Sequence, residues 1–445
     1  MNTNLTLSKY TIFSRLKDSQ DYFLINLLSG SADILEPDKA TEILENRFTG
    51  IEEYVEKGYL VDEKEEEKRY KLKYLEFLEN REQDEVQVFF VPRYSCNFAC
   101  SYCYQAEYQP ETQSLRKEIV DAFYRYVDER LSDRRKYITI FGGEPLLNDE
   151  KSREEMEWLL SGATERGLDV AIVTNGYNLK EYLDILSRAS IREIQITLDG
   201  TQSTHDSRRF LANGTPTFHK IVEGIDAALE RNTPINLRIV VDKDNIDNLK
   251  DLASFAIDKG WTKNSRFKTQ IGRNYELHTC GYNVERLFTR AGLYEKIYEI
   301  IKEYPRFLEF HKPAFSISRF IFENGECPVP LFDSCPGTKT EWAFDYTGKI
   351  YACTATVGKA GEELGTYYPE VTNKEEIIDI WENRDITSIP QCRTCTFQLA
   401  CGGGCAAVAK NQTGSIMAPD CRPVKELMEM GLSLYSQFYK EVEHE

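Results

Sequence analysis

The stretch Val86–Cys103, VQVFFVPRYSCNFACSYC, decides how this sequence is read. Val86–Pro92 is a short, nearly continuous apolar run of the kind that forms a strand buried on both faces. Cys96, Cys100 and Cys103 follow at once, as CxxxCxxC. A strand that runs into three cysteines within eight residues makes a loop able to wrap three thiolates around one metal centre. An iron–sulfur cube is closed by four cysteines, so three leave one iron with an open position. A zinc ion completed by a distant residue, or three unligated buried thiols, fits the spacing equally well.

The pattern repeats outward from this strand. Tyr137–Phe141, Leu168–Thr174, Glu193–Leu198, Ile235–Val241 and Arg266–Ile271 are five further strand-like runs. Amphipathic segments of helical length lie between them: Arg116–Leu131, Glu154–Arg166, Leu179–Ala189, Phe218–Arg231 and Ile246–Lys259. Six strands alternating with helices predict parallel βα units, in an open sheet or a partial barrel. Both architectures bind ligands at the C-terminal strand ends. That rule brings Cys96–Cys103, Gly142-Gly143-Glu144-Pro145, Thr174-Asn175-Gly176 and Leu198-Asp199-Gly200 to one site.

Tyr102 before the third cysteine, together with Gly142–Pro145 after the second strand, resembles the radical S-adenosylmethionine (radical SAM) superfamily. The resemblance implies an α/β fold, a partial (β/α)6 barrel, with a [4Fe–4S] cluster on Cys96, Cys100 and Cys103. S-adenosylmethionine (SAM) on the open iron would be cleaved reductively to a 5′-deoxyadenosyl radical. It further implies that Gly142 and Gly143 admit SAM to the backbone and that Glu144, before Pro145, accepts from its ammonium. Tyr102 would cover the adenine. Thr197 stands where a serine is common, and Arg209, in His205-Asp206-Ser207-Arg208-Arg209, would receive the SAM carboxylate.

Seven more cysteines are ordered as Cys335, twelve residues, Gly348, four residues, Cys353; then Cys392-x2-Cys395-x5-Cys401-x3-Cys405; then Cys421. Read alone, C-x2-C serves zinc as well as iron. The whole order resembles the SPASM domain of radical SAM peptide-modifying enzymes, and with the core the resemblance covers about residues 86–430. It implies two auxiliary [4Fe–4S] clusters, three clusters in all. One would use Cys392, Cys395, Cys401 and Cys421. The other would use Cys335, Cys353 and Cys405, with Cys327 as its fourth ligand. Cys280, on the loop after the sixth strand, is left over: a spare thiol, or a catalytic candidate facing the substrate.

These features divide the chain into an N-terminal α+β region (1–85), a radical SAM core (86–290), a linker (291–325), a cysteine-rich SPASM domain (326–430) and a helix end (431–445). Within the first region Tyr22–Leu35 carries a hairpin signal at Ser29-Gly30, and Asp62–Glu85 is dense in charge and expected to be a solvated helix or linker. This region resembles the opening of several maturases of ribosomally made peptides (RiPPs), which often carry a module that grips a leader peptide; a small cap that only packs against the barrel is the alternative. The expected function is therefore a radical SAM/SPASM maturase, an oxidoreductase-type enzyme that makes a thioether, C–C or C–O link in a peptide. An electron donor such as flavodoxin or ferredoxin is implied. Anaerobic sulfatase-maturing enzymes are the nearest alternative. They carry an Asp directly after the cysteine of the G-x4-C element, where this chain has Thr354, and a Thr hydroxyl is no base near neutral pH without help. A non-enzymatic iron–sulfur or zinc protein is the alternative of another class.

Composition is consistent with these expectations. A formal charge of −18 argues against nucleic acid or an anionic membrane as partner. No apolar run is long enough to span a bilayer. The opening MNTNLTLSKY lacks the basic-then-apolar order of a secretory signal. A cytoplasmic setting is expected, in which 12 cysteines point to metal or redox chemistry rather than disulfides.

Overall fold

The computed structural model describes residues 5–103, 114–273 and 284–442. Strands β1 (Leu5–Leu7), β2 (Thr11–Arg15), β3 (Tyr22–Asn26), β4 (Ser31–Leu35) and β5 (Leu60–Asp62) belong to an N-terminal unit. β2, β3 and β4 form an antiparallel sheet in that order, and β1 pairs with β5. Gly30 makes the β3–β4 turn at φ 81°, a conformation that favours glycine. Helices Pro37–Leu44, Ile51–Glu56 and Glu63–Gln83 complete the unit.

The charged stretch after β5 is more than a solvated linker. Asp62 caps it by accepting from the Lys64 and Glu65 amides. One face carries Tyr70, Tyr74 and Phe77, at the i, i+4, i+7 spacing of a helical stripe. All three rings close on the fully buried Phe332, with centroids 5.1, 5.2 and 5.6 Å away. Ile12, Phe23, Ile25 and Leu28 bury in the same cluster as Phe332, Ile386, Cys392, Cys401 and Met428. The N-terminal unit therefore packs on the cysteine-rich C-terminal part.

The central sheet follows the expected alternation. Its strands are β6 (Val86–Val91), β7 (Lys136–Ile140), β8 (Val170–Thr174), β9 (Ile191–Thr197), β10 (Ile235–Val241) and β11 (Phe267–Arg273). All five pairings are parallel, and neighbours in space are neighbours in sequence. A doubly wound sheet would reverse its strand order part-way; this sequential order is that of a partial (β/α)6 barrel. β6 is buried along nearly its whole length because helices cover one face and the barrel interior the other.

Two features differ from expectation. The stretch 291–325 is no linker: helices Arg290–Glu303, Phe307–Phe310 and Ser318–Asn324 and the turn between the last two bury Leu293, Ile297, Ile301, Phe307 and Phe315 in the main core. And the sheet does not stop at β6. β12 (Glu341–Asp345) pairs parallel with its outer edge, followed by antiparallel β13 (Lys349–Tyr351), β14 (Glu363–Thr366) and β15 (Thr372–Asn373). Barrel and C-terminal part share one ten-stranded sheet. Helix Val424–Val442 closes the chain. Among the described residues no helix is long and apolar enough to cross a membrane.

Candidate functional site

The loop after β6 is zipped to the loop after β7. Gly143 N donates to Arg93 O (3.0 Å) and Glu144 N to Ser95 O (2.9 Å). A Cβ on Gly143 would stand 2.0 Å from Ser95 O and 2.4 Å from Tyr94 O; one on Gly142, at φ 141°, would stand 2.5 Å from Arg93 O. The glycines were expected to admit a cofactor. The close approach seen is to the protein's own backbone, which they let carry the cysteines.

Glu144 is buried beneath this junction. Oε1 accepts from Thr174 Oγ1 (2.6 Å) and Leu146 N (2.8 Å), and Oε2 from Asn175 N (2.6 Å). A carboxylate has about four acceptor positions, so one stays open on Oε2. Burial raises the Glu144 pKa against these hydrogen bonds, and a cation at the open position would hold it ionised. Asn175 Nδ2 also donates to Asn97 Oδ1 (2.8 Å) and lies 3.8 Å from Cys96 Sγ, tying the end of β8 to the cysteine loop. Pro145 is buried behind Glu144.

The three cysteines are neighbours. Cys96 opens to solvent, yet protein hems its sulfur on most sides. Desolvation, Glu144 and the other two thiols push its pKa up to about 12. Burial raises Cys100 too, opposed by the Arg209 guanidinium. A cationic metal would reverse that balance, since ligating thiols deprotonate.

Arg209 is 9 % exposed. Nη1 donates to the Tyr102 hydroxyl at 2.8 Å, while Nε is buried without a hydrogen-bond partner. A buried guanidinium with an unused donor beside Cys100 suits an incoming carboxylate. Tyr102 is gripped from two sides: the Arg208 guanidinium lies 5.0 Å and that of Arg209 6.0 Å from its ring centroid. Thr197 is buried at the end of β9, in register with Arg238.

Sequence reasoning missed what holds these groups. Arg208, 3 % exposed, pairs with Asp199 (3.2 Å) and Asp242 (2.8 Å). His205 accepts at Nδ1 from Asp199 N and bonds Thr217 through Nε2. Asp206 accepts from the amides of Thr217 and Phe218, at the start of helix Phe218–Glu230. The segment 205–209 is thus a brace that aims Arg209. The place of Asp242, one residue past β10, was the available clue.

The other cysteines fall into two groups. Cys335, Cys353 and Cys405 share a small cluster with Trp381, Leu364 and Ala406. Cys392 feels Cys401, Cys395 and Cys421, and desolvation pushes its pKa up to about 11. Cys327 does not join the first group. It packs against the same apolar cluster as Cys392 and Cys401, with Asp33 of β4 among its charged neighbours. Cys280 lies outside the described residues. Among the described residues no three His, Cys, Asp or Glu side chains converge enough to share one metal ion. Groups of three and four thiols are donor sets that an iron–sulfur cube or a zinc ion takes.

Register fixes where the groups lie. Glu341 pairs with Gln87 at the start of β6, and Ala343 with both Phe89 and Tyr351. Cys353, two residues past Tyr351, is therefore at the opposite end of the sheet from Cys96. The six residues of β6 set those ends about 20 Å apart. Beside Cys353, Thr354 N donates to Glu341 Oε1 at 2.9 Å. Burial raises the Glu341 pKa.

Residues 91–256 match the model of the radical SAM superfamily. They are a radical SAM domain. Curated relatives agree at this level. A GTP 3′,8-cyclase of Nautilia profundicola is 30 % identical over 189 residues, 41 % of this chain and 55 % of the relative. One from Campylobacter jejuni subsp. doylei is 31 % identical over 170 residues, 37 % of this chain and 50 % of the relative. The chain thus spans about half the length of the curated relatives it matches. Solved structures extend the likeness in fold beyond the radical SAM domain. Native anSMEcpe with bound AdoMet is 17 % identical with a TM-score of 0.61, over 80 % of this chain and 99 % of that one. Streptococcus suis SuiB bound to its precursor peptide SuiA is 15 % identical with a TM-score of 0.53, over 94 % of this chain and 99 % of that one.

Proposed function

We propose that this radical SAM enzyme is a peptide maturase with two auxiliary [4Fe–4S] clusters in a SPASM domain. The sorting of seven C-terminal cysteines into a triad (Cys335, Cys353, Cys405) and a tetrad (Cys392, Cys395, Cys401, Cys421) carries the reading. When bound, the cluster on Cys96, Cys100 and Cys103 and its SAM supply a 5′-deoxyadenosyl radical that abstracts hydrogen from the substrate. Glu144 offers its open acceptor to the SAM ammonium, and Arg209 offers Nε–H to the carboxylate. Cys335, Cys353 and Cys405, and Cys392, Cys395, Cys401 and Cys421, would hold auxiliary clusters able to take up the electron left after hydrogen abstraction, and a flavodoxin or ferredoxin would supply the first electron.

The peptide reading is supported by the N-terminal unit. β4 lies at one edge of its sheet, with Ile34 49 % exposed. A hollow of about 340 Å³ opens beside it, between Asp33, Ile34, Leu35, the helix residues Lys39 and Tyr54, and Lys57. An open strand edge beside a pocket suits an extended leader peptide, added as a fourth strand with a side chain in the hollow. SuiB, bound to a peptide, has a fold that matches 94 % of this chain.

The test is anaerobic reconstitution to about 12 irons per chain, three cubes of four. Dithionite and SAM should then give 5′-deoxyadenosine, and Cys96→Ala should abolish it while keeping about eight irons. Full iron loading without 5′-deoxyadenosine would leave a non-enzymatic iron–sulfur protein. A short peptide encoded beside the gene should be modified only with its leader attached.

A second reading, oxidation of a Ser or Cys side chain to formylglycine, draws on one observation. Glu341 brings a carboxylate to Thr354, the position where sulfatase-maturing enzymes carry their base. Under that reading Glu341→Gln loses aldehyde product from a Ser- or Cys-containing peptide but still cleaves SAM.

A further inference from the structure

Arg384 is 0 % exposed. Its guanidinium donates only to backbone carbonyls: Nε to Ile416, Nη1 to Gly404 (3.0 Å), and Nη2 to Gly403 and Ala418 (both 3.0 Å). The nearby carboxylates are engaged elsewhere. Asp333 pairs with Lys339, Asp385 accepts from Tyr74, Thr387 and Ser388, and Asp420 pairs with Arg290. Among the described residues Arg384 has no ion-pair partner. A fully buried cation without a counter-charge is costly even after relaxation, and carbonyl dipoles offset part of that.

Its location names the missing partner. Gly402, Gly403 and Gly404 are the three residues between Cys401, of the tetrad, and Cys405, of the triad. All three are left-handed, at φ 61°, 75° and 71°. A Cβ on Gly404 would meet Asp420 O at 2.0 Å, so the run is glycine by necessity. It turns two of its carbonyls onto Arg384. On the backbone side, Lys339 Nζ bonds Arg384 O (3.0 Å) and Cys335 O (3.3 Å). The cation therefore sits where the ligand loops of the two groups meet.

We propose that Arg384 is the fixed counter-cation of the two auxiliary clusters, buried at the junction of their ligand loops so that its charge holds them at a higher reduction potential than thiolate ligation alone would set. This rests on the auxiliary clusters of the proposed function. A cube held by three or four thiolates is anionic, and each electron it accepts adds one negative charge. A nearby buried cation stabilises the reduced form more than the oxidised one. Arg384 acts through the clusters and touches no substrate.

The test is an EPR-monitored redox titration of the fully reconstituted holoprotein: wild type, Arg384→Gln and Arg384→Lys. With Arg384→Gln at full iron content, the reduced-to-oxidised ratio of an auxiliary cluster at fixed potential should fall at least tenfold, about 59 mV for a one-electron couple. The Cys96–Cys103 cluster should not move. Arg384→Lys keeps the charge and should stay within about threefold of wild type. Should Arg384→Gln fail to load iron, Arg384→Lys decides: full loading near the wild-type potential supports the proposal, and anything else overturns it. Equal auxiliary potentials in all three proteins, or an equal shift of all three clusters, would also overturn it. A wild type that holds only about four irons would instead strike at the auxiliary clusters themselves.

Discussion

Arg209 reaches Tyr102 across the cysteine loop, Nη1 to the phenolic oxygen at 2.8 Å, and among the described residues its buried Nε has no hydrogen-bond partner. An unmade hydrogen bond on a buried charged donor is costly, and a carboxylate arriving there relieves it. Arg209→Lys keeps the charge but loses the two-pronged geometry. The expected result is a loss of about 1.5–3 kcal/mol, roughly tenfold to a hundredfold in SAM affinity. Anaerobic equilibrium dialysis of the iron-loaded protein measures it. Tyr102→Phe removes the phenol that accepts from Arg209 and bonds Asp199 but keeps the guanidinium itself, and should cost less. Unchanged affinity in Arg209→Lys would exclude Arg209 from the SAM site.

Gly143→Ala probes the zipper between the first two strand loops. Its new Cβ meets two backbone oxygens, those of Tyr94 and Ser95, neither of which can rotate away. The Cys96–Cys103 loop must therefore shift. The variant should lose about four of 12 irons and all 5′-deoxyadenosine formation, with the auxiliary EPR signals intact. Twelve irons and normal turnover would show that the loops are not coupled.

Much of this was legible in the sequence, for a physical reason. Strand–helix alternation and ligand spacing are local, so β6–β11 and the cysteine groups could be read from one chain. What escaped was set by partners distant in sequence. Tyr70, Tyr74 and Phe77 hide in a strongly charged helix because their partner, Phe332, is some 260 residues away. β12 reads as no barrel strand because its pairing with β6 spans a similar distance. Arg384 looks like a surface arginine until the glycine run folds over it. Cys327 matches by spacing but not by place, since packing beside Asp33 decides where it sits.

His205 makes acid stability a test of the brace. Burial, with Arg209 and Arg208 close by, holds its pKa well below the usual value of 6.5, so the folded protein keeps it neutral. In the unfolded chain it gains a proton near pH 6.5. Below that pH the unfolded state binds more protons, and stability falls as pH drops. His205→Asn has no such titration. Urea midpoints measured between pH 7.5 and 5.5 should fall more steeply for wild type than for His205→Asn. Parallel slopes would show that His205 does not stay neutral.

The N-terminal unit is held by a contact that can be loosened without touching a cysteine. Tyr74 donates to Asp385 Oδ2 at 2.6 Å, while Oδ1 is taken by Thr387 and Ser388. Asp385 is 4 % exposed, so Tyr74→Phe leaves a buried carboxylate oxygen short of a donor at about 1.5–3 kcal/mol. The ring stays, and packing on Phe332 with it. Limited proteolysis should then cut helix Glu63–Gln83 faster than in wild type. Peptide-independent 5′-deoxyadenosine formation should not change, because the Cys96–Cys103 loop is tied to the loops after β7 and β8 rather than to Asp385. Leader-dependent peptide modification should fall, since the β4 edge is carried by the part that has loosened. If SAM cleavage falls in step with peptide modification, the N-terminal unit supports the barrel rather than presenting a substrate.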